Sequence, residues 1–247
     1  SATVFEDSVN SVAVTSVRAF PCGVGGAIAT DGDTAATFDG SSGRVETVAT
    51  PLINQLPNDF TIEAWIRRDA PSPIASQIVS TRGTNFAASI QSGFGLNVTE
   101  EGLLRFATFG IKAYDGPAVQ DGVWTHVAVV FDSSNDAHFY RNGAFAGSVP
   151  GDFPAVTNAL PMFIGRNVQE SFTGFHYFDG SIDEVAIYGT SLSAGRIQAH
   201  YLAAVPEPST LALAAFGVVA LAAWRLRRKQ PKNWQHDDAC ALHRMFG

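Results

Sequence analysis

Apolar and polar residues alternate with a period of two through much of the chain, and the cleanest run is Phe60 to Arg68. Successive side chains of a strand point to opposite faces, so Phe60, Ile62, Ala64 and Ile66 share one face while Thr61, Glu63, Trp65 and Arg67 share the other. The first set is the expected core. A second run, Val123 to Asp132, sets Thr125, Val127, Val129 and Phe131 against Trp124, His126, Ala128 and Val130. Both of these faces are mostly apolar, so the strand is covered on each side or lies in a curved sheet whose second face is half covered, and another sheet is expected to pack on it. Asp132-Ser133-Ser134-Asn135-Asp136 is turn chemistry. Asn142-Gly143, between Phe139-Tyr140-Arg141 and Ala144-Phe145-Ala146, supplies the two positive-φ positions of a type I′ hairpin. Residues 123–145 therefore read as a meander of antiparallel strands.

Shorter runs surround it at regular spacing. Thr34 to Phe38 and Arg44 to Val48, joined by Asp39-Gly40-Ser41-Ser42-Gly43, predict a hairpin. Gln77 to Thr81, Gly93 to Val98, Leu103 to Phe109, Pro161 to Arg166 and Gly180 to Tyr188 predict further strands. Residues 1–27 alternate weakly and read as an edge strand and loop. One helix is expected in this part, Ala194 to Leu202, with Ser193 as N-cap and Leu192 packing on Ile197 as a hydrophobic staple. Many short strands with tight turns predict an all-β, two-sheet antiparallel sandwich closed by one short helix.

Composition narrows this further. The chain has 247 residues with 46% hydrophobic content, enough for one sizeable core, and 23 glycines and 12 prolines suit its turns. Net charge is −7, and residues 1–204 hold ten Lys and Arg against twenty Asp and Glu. An acidic body argues against nucleic acid as a partner and leaves cations or neutral polymers. The two cysteines, Cys22 and Cys240, build no disulfide scaffold. The first residues, Ser1-Ala2-Thr3-Val4-Phe5-Glu6-Asp7, carry no visible secretory signal, which is expected to have been removed or to lie outside this sequence.

The quoted segments Phe38-Asp39-Gly40, Asp59 to Ile66, Gly93-Phe94-Gly95-Leu96, Trp124 to Asp132, Tyr140-Arg141-Asn142-Gly143, Phe163-Ile164-Gly165-Arg166-Asn167, Gly180 to Tyr188 and Leu192-Ser193-Ala194 occur in one order. In that order they resemble a laminin-G-like jellyroll domain of the concanavalin A-like lectin/glucanase fold, over roughly residues 28–203. The resemblance implies two curved sheets and a structural calcium ion near the strand ends. It points to Asp39, Gly40 and Asp183 as metal ligands, against the plainer reading in which Asp39 caps its own turn and Asp183 bonds backbone amides. Asp31-Gly32-Asp33 opens like an EF-hand loop but fails at Ala35 and Ser42.

The tail carries a second resemblance. Val205-Pro206-Glu207-Pro208-Ser209-Thr210, the apolar run 211–224 and the basic cluster Arg225, Arg227, Arg228 and Lys229 resemble a PEP-CTERM sorting signal, the substrate tail of an exosortase. Fourteen residues at 1.5 Å rise span about 21 Å, short of a hydrocarbon core of about 30 Å. Snorkelling of Arg225 and local thinning still let such a helix cross, with the basic cluster inside and the jellyroll outside. Residues 1–204 are thus expected to form the jellyroll, 205–230 the sorting signal with its transmembrane helix, and 231–247 a tail of unassigned role. Transient inner-membrane anchoring and delivery to the cell surface or matrix are the expected route.

Candidate chemistry favours binding over catalysis. A glycosidase on this fold needs two carboxylates about 5 to 9 Å apart. Glu63 stands alone on its strand, Glu100-Glu101 falls in a turn, and Asp183-Glu184 are adjacent and so point to opposite faces. His126 beside Trp124 reads as a supporting, partly buried histidine. The segment Arg166 to Tyr177 holds the richest mixture of aromatic and polar residues, and Arg166, Asn167, Phe172, His176 and Tyr177, with Tyr114 as neighbour, are the candidate glycan contacts. The alternative reading folds those aromatics down as a lid. The chain is expected to be a non-enzymatic module that binds a polysaccharide or matrix glycan, with self-association into a coat or fibre as the alternative.

Overall fold

The computed structural model describes residues 20–28, 34–47, 55–81, 83–85, 90–108, 112–151, 156–157, 161–167, 176–205 and 224–225, and the backbone of 3–6 and 13–17. At 20–23, 55, 83–85, 90–92 and 156–157, too, only the backbone course is described. The chain divides into two units, Ser1–Pro206 and Glu207–Gly247.

The first unit is a β-sandwich. Among the described residues its strands, numbered in chain order, form two large antiparallel sheets. The eight-stranded sheet runs β1 (Thr3–Glu6), β2 (Ala13–Val17), β5 (Arg44–Thr47), β18 (Phe163–Ile164), β8 (Ser76–Ser80), β11 (Phe94–Val98), β12 (Leu103–Thr108) and β13 (Lys112–Ala118). The seven-stranded sheet runs β16 (Ala144–Val149), β15 (Ala137–Arg141), β14 (Thr125–Phe131), β7 (Phe60–Arg68), β19 (Asp179–Tyr188), β4 (Thr34–Asp39) and β3 (Phe20–Gly25). Two short pairs, β6 (Gln55–Leu56) with β17 (Val156–Thr157) and β9 (Gly83–Asn85) with β10 (Ile90–Ser92), stand apart from them.

The period-two faces meet as expected. Phe60, Ile62, Ala64 and Ile66 are completely buried, and β7 pairs with β14 so that Phe60 faces Phe131 and Ile62 faces Val129. Opposite them, β11 and β12 supply Phe94, Leu96, Val98, Leu104 and Phe106 to the same core. Phe106 closes the two layers, its ring centroid 5.5 Å from Phe60 and 5.0 Å from Phe131. Aromatic pairs at such distances add about 0.5–1.5 kcal/mol each beyond area burial. The Asn142-Gly143 turn has φ of +52° and +73°, the left-handed pair a type I′ hairpin needs.

Three expectations change. First, the segment Asp39 to Gly43 joins no hairpin: β4 lies in the seven-stranded sheet and β5 in the eight-stranded one, so the turn carries the chain from layer to layer. Its local chemistry is still a turn, with Asp39 Oδ1 accepting from the Ser41 and Ser42 amides at 2.9 and 2.8 Å. Second, β14 is covered on both faces, by the other sheet on its inner face as expected and by a helix on its outer one. Helix α1 (Ala194–Ala204) starts at Ser193, whose hydroxyl accepts from the Arg196 amide at 3.3 Å. Its Ile197, with Leu192, packs on Ala128, Val130 and Tyr140. Tyr201 of the same helix stacks on Trp65 at 5.6 Å, so the face of β7 that carries Thr61, Glu63 and Trp65 is buried as well. Third, β13 was not evident from the pattern. It is an edge strand, and Pro117 sits where its register against β12 shifts, between the Ala118–Leu103 and Asp115–Arg105 pairs.

Candidate functional site

Phe163 lies on the outward side of the eight-stranded sheet, paired across the ladders with Glu46 and Ser80, while Ile164 pairs with Val45 and Val79 of the core face. The chain then turns at Gly165, which has φ of +84° and whose amide donates to the Ile78 carbonyl at 3.0 Å. A Cβ there would stand 2.2 Å from the Phe38 ring, so glycine is required twice over.

This turn aims the next two residues. The Arg166 guanidinium lies 5.2 Å from the centre of the Phe163 ring and 5.7 Å from that of Tyr177. Its Nε donates to the Asn167 carbonyl at 3.0 Å and a terminal nitrogen to the Tyr177 hydroxyl at 3.3 Å. Arg44 approaches the same Phe163 ring at 5.6 Å. Asn167 Oδ1 accepts from the His176 amide at 3.0 Å, which ties the two ends of the segment into a neck. His176 Nδ1 donates to the Ala75 carbonyl at 3.1 Å, and the His176 carbonyl accepts from the Gln77 amide at 3.4 Å, so the neck is anchored to β8. Arg166, Asn167, His176 and Tyr177 are thus brought together. Phe172 lies outside the described residues.

The other predicted positions fall elsewhere. Tyr114 is 0% exposed and belongs to the core, its ring 5.2 Å from Phe131 and 6.3 Å from Phe106. It is therefore a packing residue, because it occupies the inward position of β13 while Asp115 points out. The metal set Asp39, Gly40 and Asp183 does not form one shell. Asp39 pairs with Asp179, and Asp183 lies four positions further along β19, about 13 Å away at strand rise. Each carboxylate already serves backbone: Asp39 in its turn, and Asp183 for the Ala27 and Glu184 amides at 2.8 and 3.1 Å. The acids that meet at this corner are Asp39, Asp69 and Asp179, and burial together with Asp69 and Asp39 pushes the Asp179 carboxyl above its ordinary value. Among the described residues no three His, Cys, Asp or Glu side chains converge as a metal shell. The calcium set expected from the resemblance therefore does not fit.

Glu63, the carboxylate alone on its strand, is buried under helix α1. Its Oε1 accepts from the Tyr188 hydroxyl and from His200 Nδ1, both at 2.8 Å, and His126 Nε2 stands 3.5 Å from Oε2. Three side chains from three elements therefore converge on it, and residues so far apart in sequence gave no signal of this.

Of the sorting positions, Arg225 is exposed and helical together with Trp224, whereas Pro206, Glu207, Pro208, Arg227 and Arg228 lie outside the described residues. Among the described residues no helix is long and apolar enough to cross a membrane. The expected span 211–224 lies outside them except for Trp224.

With this sandwich and neck in place, sequence and structure comparisons agree on the class. The chain belongs to the concanavalin A-like lectin/glucanase superfamily, whose laminin G model matches residues 39–198. Residues 204–229 match the PEP-CTERM protein-sorting motif, the mark of chains exported and sorted through the membrane by an exosortase. None of the curated proteins matches by sequence. Among solved structures, Trypanosoma rangeli sialidase in complex with 2,3-difluorosialic acid is similar at TM-score 0.58 and 15% identity, over 81% of this chain and 30% of that one. Domain 4 of AbnA, an extracellular arabinanase from Geobacillus stearothermophilus in complex with arabinotriose, is similar at TM-score 0.52 and 17% identity, over 80% of this chain and 86% of that one. A Bacteroides ovatus protein whose structure's name proposes a carbohydrate-binding role for it is similar at TM-score 0.53 and 20% identity, over 66% of this chain and 45% of that one. At these identities the likeness is one of fold, and the chain spans about a third of the length of the sialidase chains.

Proposed function

We propose that this protein is an exported, non-enzymatic carbohydrate-binding module, sorted by an exosortase and delivered to the cell surface or extracellular matrix, where it holds a polysaccharide at the neck of the 167–176 segment. The observation that carries this reading is the stack of Phe163, Arg166 and Tyr177 beside the Asn167 amide. Sugars lay their apolar faces on aromatic rings while amides and guanidinium groups fix their hydroxyls. Two relatives in fold support it by their names, one an arabinanase domain with a bound arabinotriose and one a protein whose name proposes a carbohydrate-binding role. The use of Glu63 as a structural acceptor supports binding over hydrolysis.

Affinity electrophoresis of the domain 1–206 through gels containing arabinan, xylan, mixed-linkage glucan or polygalacturonate tests the reading. Retardation by at least one polymer, reduced about tenfold in Tyr177→Ala, is expected. Migration unaffected by every polymer would sink it. The second reading, self-assembly into a coat or fibre, rests on Phe145, which is 57% exposed on the edge strand β16. Sedimentation that grows with protein concentration and is abolished by Phe145→Glu would favour it.

A further inference from the structure

The outward face of the eight-stranded sheet carries two parallel rows of side chains. Residues directly opposite in antiparallel strands point to the same face. One row is therefore Ser80, Gly95, Ala107 and Ala113, and the row beside it is Gln77, Asn97, Arg105 and Asp115. Four small residues make a floor, and four polar residues make a wall. From β8 to β13 this trough crosses three strand spacings, about 14 Å, the length of a short oligosaccharide. Ala113 and Asp115 are exposed, Ala107 and Arg105 half-buried, and Gly95, Asn97, Ser80 and Gln77 buried. The rows are thus exposed at the β13 edge and buried at β8, where Phe163 follows Ser80 on the same face.

At the buried end, polar atoms have no mates. Gln77 and Asn97, 2% and 3% exposed, have Oε1 and Oδ1 buried without a hydrogen bond. Asn167 adds a third such atom from the neck. Its Oδ1 is occupied by the His176 amide, which fixes the amide's orientation and leaves Nδ2 an unmet donor. The His176 carbonyl in turn takes the Gln77 amide, so both groups belong to one corner. Buried polar groups are bonded in nearly all native structures, so two unmet acceptors opposite each other on β8 and β11, with an unmet donor on the neck that bonds β8, make a place that a water or a ligand hydroxyl completes. A sugar hydroxyl, which both donates and accepts, matches the set.

We infer that this buried corner is a subsite for the terminal sugar of a glycan chain. Adjacent hydroxyls of that sugar donate to Gln77 Oε1 and Asn97 Oδ1 and accept from Asn167 Nδ2, while the rest of the chain leaves over Ala107 and Ala113 toward the exposed edge. The inference rests on the glycan-binding reading above and adds recognition of a chain end. Beyond β8 the small row runs into Phe163, which stands opposite Ser80 on β18 and puts a bulky ring in the polymer's way.

Competition against the retarding polymer tests this with linear arabino-, xylo- and cello-oligosaccharides from the trimer upward, scored per mole of chain ends. Trimer and polymer should compete equally within about twofold. Asn97→Leu and Gln77→Met should each weaken binding about tenfold while melting at the same or a higher temperature, because each removes an unmet buried polar atom. Asn97→Ser, smaller and still polar, gives the same reading if leucine is not accommodated. Competition that strengthens steadily with chain length would overturn end recognition, as would variants that lose stability yet bind like the wild type. If the wild type binds none of the sugars, the glycan reading itself fails. If it binds and only Tyr177→Ala loses binding, the end subsite alone fails.

Discussion

His200 Nδ1 donates to Glu63 Oε1 at 2.8 Å, fastening helix α1 to the central strand β7. The donor is assigned by chemistry: an ionised carboxylate only accepts, and Arg196 Nε donates to His200 Nε2 at 3.1 Å, which leaves the proton on Nδ1. The Tyr188 hydroxyl bonds the same oxygen. Burial alone would raise the Glu63 carboxyl, but the interactions with His126 and Tyr188 lead those that outweigh it and hold the group below its ordinary value of 4.5. Burial and the Glu63 carboxylate push the Tyr188 phenol well up.

This contact makes stability depend on acid. A carboxyl whose folded pKa is depressed contributes stability that is fully present above the ordinary value of 4.5 and is lost as pH falls through the lower native value. Melting temperature should therefore drop below pH 4.5 in the wild type, and the drop should be shallower in Glu63→Gln. At neutral pH the variant should be less stable by about 1–3 kcal/mol, since it removes a charged acceptor from two hydrogen bonds. Thermal scans of both proteins from pH 7 to 3 measure it, and parallel profiles would refute it.

The second acid-sensitive group is at the layer-crossing turn. Burial raises the Asp39 carboxyl, yet the Ser41 and Ser42 amides and the Ser42 hydroxyl together outweigh it and bring it down to about 2. Its contribution lies above the ordinary 3.8 and disappears as pH falls toward 2. Asp39→Asn should accordingly be the less stable protein at pH 7 and no less stable than wild type at pH 2, by urea titration at each pH.

Phe131 stacks on Phe60 at 4.8 Å and meets Phe106 and Tyr114 at 5.0 and 5.2 Å. Phe131→Ala opens a cavity between the layers, and a loss of about 4 kcal/mol is expected from urea unfolding.

Gly165→Ala should cost about 2 kcal/mol or more, from a left-handed φ and from overlap with Phe38. Because the same turn aims Arg166, weaker glycan retention should accompany the lower melting temperature. Unchanged retention would show that the neck tolerates the displacement.

In the sorting segment, replacing Glu207 in Pro206-Glu207-Pro208 by alanine should leave the uncut chain in the membrane fraction. Mass spectrometry of the carboxyl-terminal peptide distinguishes cut from uncut protein.

Strand content was readable from period two at Phe60 to Arg68 and Thr125 to Phe131, where alternation reflects burial directly. Asn142-Gly143 was readable because a type I′ turn admits few residues. The layer crossing at Asp39 was not, because turn chemistry is local while the sheet a returning strand joins depends on distant partners. Lys112 to Ala118 was hidden by Gly116 and Pro117, and Tyr114 was misassigned with it. Arg166, Asn167, His176 and Tyr177 cluster because they flank a single loop. Gln77 and Asn97 fall in strands that the pattern predicts, but alternation does not tell that their outward amides are buried, and His200 gave no hint of a partner 137 residues earlier.

Helix α1 ends where Val205 takes an extended backbone after its amide bonds the Tyr201 carbonyl, and Ala204 is the last residue buried before it. Among the described residues, the side chains that fill the jellyroll interior therefore all lie upstream of Pro206. A protease cutting beyond that point would release a body with its keystones intact, so maturation and folding can proceed as separate events.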